Sequence, residues 1–252
     1  MAASWEREEI DAVLAVRKCL VEDKQVPLHE IGEIELITIT LNSKLRVPEA
    51  VEKFMTYREQ VLQLYNIPDV WAEPHVDGLD LQWHRFAVAG RDDGDRQIMW
   101  IQGSGTPVAE ETACVRACCH YFFAVHSDMK TLRDGITIVI DVSGRRAKVG
   151  NEKKLQVTWQ NFPSRPQHIH ILGTSAITRI FVNGLISFAA LFAKSKVLAR
   201  IQFSDIRQFT ELFGTAALPE VKGGPERPPV REWVRARLDA FPKMNLPEYA
   251  SS

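Results

Sequence analysis

Disulfide chemistry is the first thing this sequence lacks. Its 252 residues hold four cysteines, and three of them, Cys114, Cys118 and Cys119, fall within six residues. Such crowding makes a poor disulfide framework and fits a reducing, cytosolic compartment. The first residues, Met1-Ala2-Ala3-Ser4-Trp5-Glu6, lead into acidic turns and lack the apolar stretch of a secretory signal. No run reaches the roughly 20 apolar residues that span a bilayer. The most apolar stretch, Ile177 to Ala193, carries Arg179, is interrupted by Asn183, Gly184 and Ser187, and is closed by Lys194 and Lys196. It reads as a buried or interfacial helix. Net charge is also scarce, at -1, which argues against a nucleic-acid binder by composition. Repeats and low-complexity tracts are absent. So are the Gly-x-Ser-x-Gly elbow, the glycine-lysine phosphate loop and the paired-histidine zinc helix.

What is present describes a folded chain with a sizeable core, at 45% hydrophobic and 25% charged residues, and excludes disorder, collagen and a coiled coil. The small net charge hides an asymmetry. Residues 1–126 hold 12 Lys/Arg against 21 Asp/Glu, net -9, and residues 127–252 hold 19 against 11, net +8. The basic half either faces an anionic surface or is attracted by the acidic half of the same protein.

Residues 5–67 read as helical. After a bend at Lys44-Leu45-Arg46, the positions Val51, Phe54, Val61 and Tyr65 recur at helical spacing, with Pro48 in the first turn and Pro68 as a stop. Residues 68–81 read as a linker. From Leu81 the texture becomes β-rich: Leu81 to Ala89 and Gln97 to Gln102 form a hairpin around Arg91-Asp92-Asp93-Gly94-Asp95. A helix capped by Thr106 runs to about His126. Ile136 to Val142 is a continuous apolar run suited to a parallel strand buried on both faces. A short helix at 155–161, strands at His168–Leu172 and Val197–Phe203, and the apolar helix 177–194 complete the alternation. Strand and helix in turn predict right-handed crossovers and a parallel sheet.

Candidate chemistry is sparse. Gly103-Ser104-Gly105 lacks the third glycine of a dinucleotide cradle and reads as a plain turn. Cys114, Cys118, Cys119 and His120 could gather a metal, but core packing fits cysteine better. His168 and His170 share one side of a strand; with no third ligand in view they line a cavity or lie under a helix. Arg200 sits on the last strand, where a buried charge demands either a polar ligand head or a carboxylate.

The order of motifs after residue 131 resembles the CRAL-TRIO, or Sec14-like, family. The resemblance rests on a Gly135-led strand ending in Asp141, the Phe162-Pro163 step, the apolar helix, Leu198-Ala199-Arg200-Ile201, and Leu218-Pro219-Glu220-Val221-Lys222-Gly223-Gly224. Lys44-Leu45-Arg46-Val47, Ala50 and Phe54 resemble the family's helical N-terminal extension. At the family's three headgroup positions this sequence has Thr38, Ser164 and Arg200, and only the last keeps a charge. Arg231-Glu232-Trp233-Val234-Arg235, followed by Arg237, and a short Asp141–Phe162 connection are similar to the Sec14-like modules of Rho exchange factors.

The resemblance implies an α/β fold with a mainly parallel sheet, helices on one face and an apolar ligand cavity on the other. It implies a helical N-terminal subdomain at residues 1–70 and a lipid-binding domain at 71–252. The implied function is non-enzymatic binding and intermembrane transfer of a phospholipid or other hydrophobic ligand, in the cytoplasm with peripheral membrane association. It implies no cofactor, no metal and no nucleic acid. The alternative is a protein-interaction module with a reduced cavity. Ligand contacts are expected from Arg200, His168, His170, Phe181, Phe188 and Phe192. Phe188 and Phe192, on a movable helix 177–194, would meet the bilayer together with Arg145, Arg146 and Lys148. These three basic residues belong to a cluster with Lys153 and Lys154, each worth about 1 kcal/mol near an anionic surface.

Overall fold

The computed structural model describes residues 5–71, 84–102, 111–143, 161–173, 199–244 and 246. Three helices open the chain. Helix α1 (Arg7–Glu22) buries Ala12, Val13, Val16 and Leu20, one stripe at helical spacing. Helix α2 (Glu33–Asn42) is buried from Glu35 to its end. Lys44 and Leu45 then take positive φ values of 55° and 61°, which makes the expected bend. Helix α3 (Val47–Tyr57) follows, with proline in its first turn. It runs on through a π turn (Arg58–Leu62) and a 3-10 turn (Gln63–Tyr65), and Asn66 ends it in the left-handed region.

Strands β1 (Phe86–Arg91) and β2 (Gln97–Gln102) form the antiparallel hairpin. The Asp92 carboxylate builds its turn by accepting from the backbone N–H groups of Gly94 and Arg96 and from the Arg96 guanidinium. Helix α4 (Glu111–Val125) and the short α5 (Met129–Asp134) lead to β3 (Ile136–Asp141). Strands β4 (Pro166–Leu172) and β5 (Ile201–Ser204) follow, then helices α6 (Ile206–Phe213) and α7 (Val230–Asp239). The sheet order is β1-β2-β3-β4-β5, and every pair after the hairpin is parallel. The protein is therefore α/β, with a mostly parallel sheet of five strands among the described residues.

Alternation along the strands divides the side chains between two layers. Phe86, Met99 and Ile136 share one apolar core with buried residues of α1, α2, α3 and α4, and Ile138 lies partly buried at its edge. The opposite face, with Ala87, Ile98, Trp100, Val139 and Leu172, meets Phe209 of α6 and the Ala217-Leu218 segment. Helical cover thus lies on both faces, where one-sided cover was expected. A parallel sheet has no face suited to water, and the chain after β5 supplies the second layer. The start of the expected linker is packed as well, with Val70 buried and Trp71 against the core.

Helix α4 is fixed to the hairpin by Tyr121. Its hydroxyl donates to the Ala87 carbonyl at 2.7 Å and accepts the Trp100 N–H at 3.0 Å. Ala87 and Trp100 are cross-strand partners, so this hydroxyl takes the place of a ladder bond. Tyr121→Phe leaves both backbone groups buried and unpaired. It should lower stability by about 1–3 kcal/mol, read as a fall in the urea midpoint at unchanged m-value.

Candidate functional site

Beyond the hairpin the two faces of the sheet differ in cover. On one face Thr137, Val139, Asp141, His170, Leu172 and Ser204 are all buried. On the other, Ile136 and Ile171 are buried, Ile138, Ile140, Ile169 and Ile201 are only half-buried, and Phe203 is 38% exposed. The register sets them in rows, with Ile138 beside Ile169 and Ile169 beside Ile201. Half-covered isoleucine in the middle of a parallel sheet is unusual, since such strands are normally sealed on both sides.

The predicted polar site residues do not join this row. His168, half-buried, and His170 lie on the opposite face, where Gln202 of β5 is exposed. His170 is 1% exposed, with Nδ1 at 3.3 Å from the Ser204 hydroxyl and Nε2 without a partner. Phe209 and Phe213 stand edge-on to its ring at 5.3 and 5.2 Å. Burial, with His168 adding to it, pushes His170 down to about 4, so it is neutral at physiological pH. Of the two settings expected for the pair, His170 takes the place under a helix.

Arg200 lies one residue before β5, whose first residue is Ile201, and so outside the strand predicted to hold it. Its guanidinium donates to the Pro166 carbonyl, and its own carbonyl accepts the Ile169 N–H at 3.0 Å. Arg165 stands close by: burial first, and then the Arg200 charge, lower its pKa. Phe181, Phe188 and Phe192 lie outside the described residues. So do Arg145, Arg146, Lys148, Lys153 and Lys154.

A second site lies among the helices before the sheet. A cavity of about 440 Å³ opens between α2, α3 and the π turn. Among its lining residues are two buried polar ones, Glu35, 4% exposed, and Tyr57. Tyr57 donates to Glu35 Oε1 at 3.0 Å and the Trp71 indole N–H to Oε2 at 3.2 Å. Gly32 leaves room for this carboxyl, because a Cβ there would overlap Oε2. The wall adds Phe54, Leu62 and Ile67, and the rim carries an ion pair between Arg58 and Glu30. A π turn inside an α-helix is itself frequent at functional sites. Burial pushes Glu35 from an ordinary 4.5 up to about 7 against the opposing pull of its two donors. Tyr57 is pushed up as well, by burial and then by the neighbouring Cys119 and Glu35.

Sequence reading missed this site because the partners of Glu35 are 22 and 36 residues away. The bend at Lys44 and Leu45, which folds α3 back on α2, was the only signal. Among the described residues no three His, Cys, Asp or Glu side chains gather for a metal, and no helix is long and apolar enough to cross a membrane. No protein-family model matches the chain, and no curated protein matches it.

The Glu35 shift has a signed consequence. Because its pKa is higher folded than unfolded, the folded state holds the extra proton between about pH 4.5 and pH 7. The stability from neutral Glu35 is therefore complete below that window and is lost as pH rises through it, by about 3 kcal/mol. Glu35→Gln should remove this decline. Urea unfolding of both proteins at about pH 5 and about pH 8 should show the variant gaining on the wild type at the higher pH.

Proposed function

We propose that the chain is a Sec14-like, non-enzymatic lipid-binding protein that holds an acyl-bearing or other hydrophobic ligand against the isoleucine face of β3, β4 and β5. The observation that carries this reading is the group of partly exposed apolar side chains Ile138, Ile140, Ile169, Ile201 and Phe203 on one face of β3, β4 and β5. An apolar chain laid on these residues removes their remaining surface from water, at about 25 cal/mol per Å². The consecutive order of a mostly parallel sheet and the helices packed before it agree with the motif order from Gly135 to Gly224. In this reading residues 1–70 are the N-terminal subdomain and 71–252 the ligand-binding domain. Arg200, with Arg165 beside it, offers positive charge to a polar head at the sheet margin. Transfer between membranes and peripheral attachment belong to the same proposal.

A second reading, an interaction module, is favoured by one observation. Ile206 is 40% exposed and Leu212 56% exposed on α6, beside β5, which is at the sheet edge among the described residues. Unpaired edges and apolar patches are sites of protein association.

Native mass spectrometry of the purified protein separates the two readings. A co-purifying lipid supports the first, and a bare protein that also fails to take up a fluorescent acyl phospholipid rejects it. Phe203→Asp and Ile201→Asp, at partly exposed positions on β5, should lower uptake of that probe at least about tenfold with unchanged circular dichroism.

A further inference from the structure

We infer that the cavity beneath Glu35 is a binding site for a small organic amine, held by its ammonium group against the Glu35 carboxylate. Four observations lead there. Glu35 is buried and lines the cavity, and its described donors, Tyr57 and Trp71, are neutral. Among the described residues no Lys or Arg pairs with it. The nearest cation of the wall, Arg58, is engaged by Glu30. The other charged and titratable groups that act on this centre are Asp69, Cys119 and, through Cys119, Arg116. Above neutral pH the site thus holds a desolvated anion with hydrogen bonds and no counter-charge, the state that a cationic ligand relieves.

Size and lining narrow the class. Two carboxylates against one guanidinium disfavour an anion. A divalent metal finds no third ligand among the described residues, and a bare monovalent ion leaves most of about 440 Å³ unfilled. Phe54, Leu62 and Ile67 supply an apolar wall, and Gln63 and Asn66 supply amides at the rim. An amine carrying a compact apolar group satisfies all of these at once. The site is separate from the isoleucine face of the sheet, so its failure and that of the lipid reading are independent.

The test uses benzylamine as probe and benzyl alcohol as its neutral counterpart, titrated calorimetrically into the full chain. Benzylamine should bind at least about tenfold more tightly than the alcohol. Its affinity should rise between about pH 6 and about pH 8, as Glu35 ionises while the amine stays protonated. Glu35→Gln should abolish both the preference and the pH dependence. Gln63→Arg, which sets a competing cation at an exposed rim position, should weaken the amine severalfold without touching the fold, and it decides the matter if E35Q does not fold. Equal binding of amine and alcohol, absence of amine binding, a flat pH profile, or variants that bind like wild type would each overturn the inference.

Discussion

Helix α4 is the element on which the remaining packing depends. Every residue from Cys114 to Val125 is buried, so the helix needs a partner on each side. Tyr121 and Phe86 stack at 4.7 Å toward the sheet. Phe123 meets Tyr57 edge-on at 6.0 Å toward α3, and Trp233 of α7 approaches Tyr121 at 5.8 Å. Buried polar groups on such a helix must be satisfied from outside it. His120 Nε2 meets the Val70 carbonyl at 2.7 Å and its ring stacks on Trp71. Just past the helix end, His126 Nδ1 meets the carbonyl of Phe122 within α4 itself, while Asn42 from α2 approaches Nε2 and also donates to the Pro163 carbonyl. Cys118 and Cys119 are buried within this core.

Charge ties the same layers together at their margins. Glu9 on α1 accepts two hydrogen bonds from Arg133 on α5, at 2.7 and 2.8 Å. Burial alone would raise the Glu9 pKa, but the Arg133 hydrogen bonds hold it below the ordinary value. This pair joins the acidic half of the chain to the basic half. Asp128 gathers Arg91 from β1 and Arg237 from α7, and Lys222 reaches Asp141 at the end of β3 at 2.6 Å. Only the Glu9–Arg133 pair among these uses the charge asymmetry of the two halves; the others pair acid and base within residues 127–252 or in the opposite sense.

The two candidate sites differ in the physics that creates them. The isoleucine face is an incomplete burial, where apolar surface is still partly in water and any hydrophobic occupant is favoured by area. The Glu35 cavity is an incomplete neutralisation, where an acid is dry and hydrogen-bonded but lacks an opposite charge. The first selects weakly by shape. The second selects by charge and depends on pH.

Local pattern determined much of the fold from the sequence alone. The helix after Pro48, the strand Gln97–Gln102, the strand led by Gly135 and the histidine strand all follow from apolar period and turn residues, which act between near neighbours. Parallel pairing followed from the alternation of strand and helix. Tertiary structure alone decided which face of the sheet Phe209 and Leu218 cover, because both come from beyond β5. It placed His170 under that cover and Arg200 just outside its strand. It also decided that Glu35 would be dry, since Tyr57 and Trp71 reach it only once α3 folds back on α2 and the chain beyond Pro68 packs against α4. Burial and long-range hydrogen bonding belong to the assembled layers, and no window of neighbouring residues encodes them.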